Sequence, residues 1–202
     1  MKRILTVLCI AFSITLLFAG DKDWKLERER DGIKIFNRFV VNSKMKEYKG
    51  EIVIKKNVQT VLKAFTDIKN HDKFLYKCKK GSVKLVKKVS DNDFYTYMEI
   101  ETPWPVSHRD IVTRYIVNKP ESNGTITIDL SCHKDLVPEV KGIVRVPLMS
   151  GYWKLIPVDK NSTKVIHQAY SSPGGNIPEG LANSASVDAP FAMLKSLSTI
   201  DL

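Results

Sequence analysis

The chain has 202 residues, with 32 Lys and Arg against 22 Asp and Glu and a formal charge of +10. That length gives room for one domain with a sizeable core, and that charge favours an anionic partner, either nucleic acid or an anionic membrane face. Neither a GxSxG elbow, a Walker-type phosphate loop nor an HExxH pair occurs, which excludes the sequence patterns of three common catalytic and nucleotide-binding classes.

Lys2 and Arg3 precede an uncharged run from Ile4 to Ala19, diluted only by Thr6, Ser13 and Thr15 and ended by Asp21-Lys22-Asp23. A basic start, an apolar core and the small residues Ala19 and Gly20 describe a secretory signal peptide over residues 1–20. The run is a little short to span a bilayer. Leu17 or Phe18 stands three residues from the cut, where small residues are preferred, so an uncleaved N-terminal membrane anchor is the alternative. Cleavage leaves residues 21–202 as one domain with a net charge of +8, since Lys2 and Arg3 depart with the signal. Export sets nucleic acid aside as a partner. Cys78 and Cys132 remain and are available for a disulfide in an oxidising compartment.

Trp24 to Glu27 reads as a brief helical start. Asp31-Gly32 is a turn, and Ile33 to Phe36 opens a strand. After a turn at Asn42-Ser43, Met45 to Lys55 alternates as a second strand. Asn57 is a good N-cap, and Val58, Val61, Leu62, Phe65 and Ile68 recur at helical spacing. Val83–Val86 and Phe94–Met98 flank Ser90-Asp91-Asn92-Asp93 as a hairpin. Pro103-Trp104-Pro105 breaks the strand pattern and Ile111–Val117 resumes it. Strands follow at Thr125–Leu130, near Ile143–Leu155 and at Thr163–Tyr170. Ser172-Pro173-Gly174-Gly175 is a firm stop. Pro178 then opens a long helix whose Leu181, Ser184, Val187, Phe191, Leu194 and Leu197 share one face, with a kink expected at Pro190. Many antiparallel strands with helices segregated to one side make an α+β fold. A long helix laid across a curved sheet encloses either an ordinary core or a binding cavity.

His71, His108, His133 and His167 show no metal-ligand spacing, so no metal and no cofactor is expected. In Thr102 to Asp110 a Pro-flanked Trp104 is held stiffly. Arg109 and Asp110 point to opposite faces of a strand, so each bonds elsewhere. Glu99 and Arg114 sit among apolar strand neighbours. Either they face inward as a pair, since an isolated buried charge is very costly, or both face solvent.

Trp24-Lys25-Leu26, Asp31 to Ile35, Tyr48-Lys49-Gly50, Pro103 to Asp110, Lys141 to Arg145, Gly151 to Leu155, and Gly174 to Pro178 with Leu181-Ala182-Asn183 occur in one order along the chain. In these segments the sequence resembles the START family of lipid-binding domains in its bacterial exported form. The resemblance implies a helix-grip fold (START/Bet v 1-like), in which a curved antiparallel sheet wraps a long C-terminal helix around a hydrophobic tunnel. It further implies the periplasm as location, and a lipid such as a sterol, phospholipid, ceramide or carotenoid as ligand. Sterol-binding members often carry an internal acid–arginine pair. Glu99 fits the acid, but the family's arginine position falls on Tyr115. Arg114 stands one place earlier, and a one-residue shift swaps sheet faces unless a bulge intervenes.

The expected ligand-binding residues are Glu99, Trp104, Arg109, Arg114, Tyr115, Leu181, Ser184, Asp188 and Phe191. The helix residues among them are expected to border the cavity. The expected function is non-catalytic carriage of one lipid-like molecule, with transient contact to an anionic membrane. The alternative is a polyketide cyclase/dehydratase-like enzyme on the same fold, with Glu99, His108 or Asp188 as acid or base. A domain with a filled core is the third reading.

Overall fold

The computed structural model describes residues 24–201; the expected signal segment and its cleavage site lie outside the described residues. The elements in chain order are β1 (Lys25–Arg30), β2 (Ile33–Phe39), β3 (Lys46–Ile54), α1 (Val58–Thr66), α2 (His71–Phe74), β4 (Lys84–Ser90), β5 (Asp93–Ile100), β6 (Arg109–Val117), β7 (Ile126–Cys132), β8 (Val144–Arg145), β9 (Leu148–Asp159), β10 (Ser162–Ser172) and α3 (Glu179–Thr199). The strands form one sheet in the order β1-β2-β3-β10-β9-β7-β6-β5-β4, and its ladders are antiparallel. The two-residue β8 adds a parallel pairing to the start of β6. Helix α3 lies across β2 and β3, and α1 covers β9 and β10. This is the α+β helix-grip arrangement.

Local chemistry accounts for most boundaries. Asp31 and Gly32 have φ of 54° and 74°, the positive values that a two-residue hairpin between twisted strands requires. The Asn57 side chain accepts a hydrogen bond from the Thr60 amide at 2.8 Å, which caps α1, and Val61, Ala64 and Phe65 make its buried face. The core joins these residues to Ile33, Ile35, Trp153, Leu155, Leu194 and Leu197.

One expectation is corrected. Trp24 to Glu27 does not start a helix; Lys25 pairs with Asn37 and Leu26 with Phe36, and sheet hydrogen bonds outweigh a weak local propensity. Helix α3 runs from Glu179 to Thr199 with Pro190 inside it. Pro190 is buried toward Gly50, where an added Cβ would lie 3.5 Å from the Pro190 Cβ and 2.7 Å from Leu194 Cδ1. The missing side chain at Gly50 is what lets the helix lie this close. The buried residues of α3 are Ser186, Pro190, Met193, Leu194 and Leu197, so its packed face only partly matches the expected stripe. The first half of the helix roofs a cavity, and only the second half packs fully. Cys78 and Cys132 are free thiols; Cys132 Sγ lies 3.1 Å from the Val146 carbonyl.

Candidate functional site

Strand β6 explains which residues reach the interior. Its side chains alternate, so Arg109, Ile111, Thr113 and Tyr115 point to the concave face, while Asp110, Val112 and Arg114 point away. On β5, Met98 and Ile100 are inward and Glu99 is outward. The concave face and the first half of α3 enclose a cavity of about 360 Å³, within the size range of small-molecule sites. Leu130, Met149 and Trp153 continue its apolar wall, Leu181, Ala185 and Ala189 form its roof, and Pro103, Pro173 and Ile177 stand at its rim. A filled core is thereby set aside.

Five of the nine expected residues line this cavity: Arg109, Tyr115, Leu181, Ser184 and Asp188. Tyr115 is buried and stacks on Phe94 with ring centroids 5.3 Å apart. Asp188 is bonded to Arg28 at 2.8 Å. The other four lie elsewhere. Glu99 meets Lys79 at 2.7 Å, and Arg114 donates to both oxygens of Asp93 at 2.8 and 2.7 Å. The guanidinium holds the Asp93 carboxyl below its usual pKa. The internal Glu99–Arg114 pair therefore does not form. The β5–β6 ladder runs without a register shift from Asp93↔Ile116 to Ile100↔Arg109, so no bulge brings either charge inside. Trp104 is 93% exposed on the β5–β6 loop, beyond the rim. Phe191 packs beside the core with Arg28 over its ring at 5.0 Å, because at that point α3 has turned this side toward β1.

The polar centre inside the cavity went unforeseen. His167 and Tyr48, neighbours across the β3–β10 ladder, both line it. The His167 ring stacks on Trp153 at 3.7 Å and 3°. Its Nδ1 lies 3.0 Å from the Tyr152 carbonyl oxygen, which can only accept, so Nδ1 carries the proton. Nε2 then accepts from the Tyr48 hydroxyl at 2.8 Å. The alternation of Val165, His167 and Ala169 along β10 was the available signal. Burial pushes His167 down to about 4 and raises the Tyr48 hydroxyl above its usual value. His71, buried behind Tyr115, is also lowered by burial.

These histidines fix the sign of the acid response. The folded protein binds fewer protons than the unfolded chain between about pH 6.5 and about pH 4. The His167 contribution is therefore complete above pH 6.5 and is lost as pH falls toward 4, worth on the order of 3 kcal/mol. Urea unfolding across pH 4–7.5 should show stability rising with pH through that window, and His167→Gln should flatten the slope. An equal slope in the variant would refute the assignment.

Known proteins share this architecture. A START domain family profile matches residues 10–197. An uncharacterized protein of Pseudomonas aeruginosa is 39% identical over 176 residues, covering 87% of this chain and 85% of the relative. The phosphatidylcholine transfer protein of Rattus norvegicus is 26% identical over 179 residues, 87% of this chain and 82% of the relative. Among solved structures, a STAR-related lipid transfer protein fragment from Xanthomonas axonopodis superposes with a TM-score of 0.80 at 34% identity, covering 88% of this chain and 97% of that one. An aromatase/cyclase from Streptomyces shares the fold at a TM-score of 0.53 and 12% identity, over 76% of this chain and 92% of its own. With the helix-grip sheet, the enclosed apolar cavity and a profile match across nearly the whole length, this chain belongs to the START domain family.

Proposed function

We propose that the chain is a non-catalytic carrier of one lipid-like molecule, exported to the periplasm, that loads and unloads at an anionic membrane. The observation that carries this reading is the cavity of about 360 Å³ with an apolar wall. Each Å² of apolar ligand surface desolvated there contributes about 25 cal/mol, so tight binding needs few hydrogen bonds. The relatives named as lipid transfer proteins support the same reading.

The topology supports the membrane contact. One end of the sheet gathers the β2–β3, β5–β6, β8–β9 and β10–α3 connections around the cavity rim. Phe39, Val41, Trp104, Leu148 and Leu181 are exposed there, together with Lys44, Lys77 and Lys80 in neighbouring loops. Apolar side chains ringed by cations match an anionic bilayer surface.

The groups available for acid–base work favour carriage over the cyclase-like alternative. Glu99 faces away from the cavity, Asp188 is held by Arg28, and His108 is exposed with Nδ1 accepting from the Thr102 amide at 3.0 Å. His167, at about 4, and the raised Tyr48 hydroxyl are both mistuned for proton transfer near neutral pH.

The test is transfer of a fluorescent lipid between anionic vesicles. Ala185→Trp fills the roof of the cavity and should reduce lipid uptake at least tenfold with the fold intact by circular dichroism. Trp104→Ser should leave stability within about 0.5 kcal/mol while slowing transfer from anionic vesicles. Unchanged uptake by Ala185→Trp would refute the cavity as the lipid site.

A further inference from the structure

Two arginines are buried among the described residues, and the fold treats them differently. Arg145 donates five hydrogen bonds: two to the Asp110 carboxylate at 2.7 and 3.0 Å, and others to the carbonyls of Lys134, Val137 and Pro138. Its charge and its donors are both satisfied. Arg109 is 3% exposed and lines the cavity. Its Nη1 donates to the Ser107 carbonyl and its Nη2 to that of Gly174 at 3.1 Å, while its Nε–H has no partner. Among the described residues no carboxylate forms an ion pair with it.

A guanidinium does not shed its proton in a protein, and a buried cation without a counter-charge costs several kcal/mol. The carboxylates at the cavity do not compensate it: Asp188 is bonded to Arg28, and Glu101 is exposed at the rim. Lys46 and Lys77 also line the cavity, so its charged groups lean positive. Arg109 lines the same cavity as an apolar wall formed by Met98, Ile111, Leu130 and Trp153. An amphiphile with an anionic head and an apolar tail complements both. The volume of about 360 Å³ lies at the low end of the small-molecule range, which favours one chain over two.

We propose that Arg109 receives the anionic head, a carboxylate or a phosphate monoester, of a single-chain amphiphile whose tail lies along that wall. This rests on the carrier reading and adds to it the class of ligand and the residue that selects it. A charge-assisted, bidentate contact of this kind corresponds to on the order of tenfold to a hundredfold in affinity.

The experiment is calorimetric titration of the delipidated protein with oleate, oleoyl lysophosphatidate, oleyl alcohol and dioleoyl phosphatidate. Oleate or oleoyl lysophosphatidate should bind at least tenfold tighter than the alcohol, and the tighter of the two names the head as carboxylate or phosphate. Arg109→Met should remove that preference and leave the alcohol within about twofold, while Arg109→Lys should keep part of it. The comparison of head groups on the unsubstituted protein does not depend on how the variants fold. Equal binding of oleate, oleoyl lysophosphatidate and the alcohol would overturn the role of Arg109 and leave the carrier reading standing. Tighter binding of dioleoyl phosphatidate would overturn the single-chain assignment, and binding of none of the four would overturn both readings.

Discussion

Asp110→Ala lowers the free energy of unfolding by about 3–5 kcal/mol, the usual cost of leaving one member of a buried ion pair alone. Asp110 and Arg145 are 1% and 6% exposed, and their paired contacts at 2.7 and 3.0 Å tie β6 to β8. Arg145 also collects the carbonyls of Lys134, Val137 and Pro138, so this single cation organises the connection from β7 to β8. Removing the carboxylate strands the charge and loosens that connection together. Asp110→Asn keeps an acceptor and should cost less. The double variant Asp110→Ala/Arg145→Met should recover part of the loss, because an apolar replacement of both partners leaves no orphaned charge. Urea denaturation of the parent, Asp110→Ala, Arg145→Met and the double variant completes a double-mutant cycle. A cost below about 1 kcal/mol for Asp110→Ala would show that water reaches Arg145.

Gly151→Val destabilises the protein by about 3 kcal/mol, the upper end of overpacking costs. Gly151 pairs with Ala169 on one side and Leu130 on the other, in the middle of the sheet. A Cβ there would lie 2.3 Å from the Gln168 carbonyl oxygen and 2.8 Å from the Ala169 Cα. Both are backbone atoms of β10, so no rotamer change relieves the contact and the two strands must part. Gly180, near the start of α3, has open space around the same position, so Gly180→Ala should be neutral or stabilising by up to about 1 kcal/mol. For a chain of this size the first change should lower the melting temperature by about 6–12 °C, and the second should leave it equal or higher. Equal melting temperatures for Gly151→Val and the parent would refute the crowding argument.

Within the fold, local rules were legible wherever a short stretch of chain decides its own conformation. The Asp31-Gly32 turn, the Asn57 cap, the hairpin around Asp91-Asn92 and the long helix after Pro178 all follow from backbone preference and side-chain period. The start at Trp24 misled because an edge strand takes its hydrogen bonds from a partner that a local pattern does not contain.

For the site, alternation along β6 correctly sent Arg109 and Asp110 to opposite faces, and the one-residue offset of Arg114 from Tyr115 correctly cast doubt on an internal charge pair. Alternation fixes which residues of a strand share a face. It does not say which partner a charge will meet across strands brought together from distant parts of the chain. Asp110 with Arg145, Tyr48 with His167 and Arg28 with Asp188 depend on strand register and on where α3 comes to rest. The sequence by itself determined an α+β sheet with one long covering helix, because hydrophobic period and turn chemistry are local. Only the tertiary structure decided that the space between them stays open and that Arg109 enters it without a counter-charge, because enclosed volume and charge pairing belong to the packed assembly of all the elements.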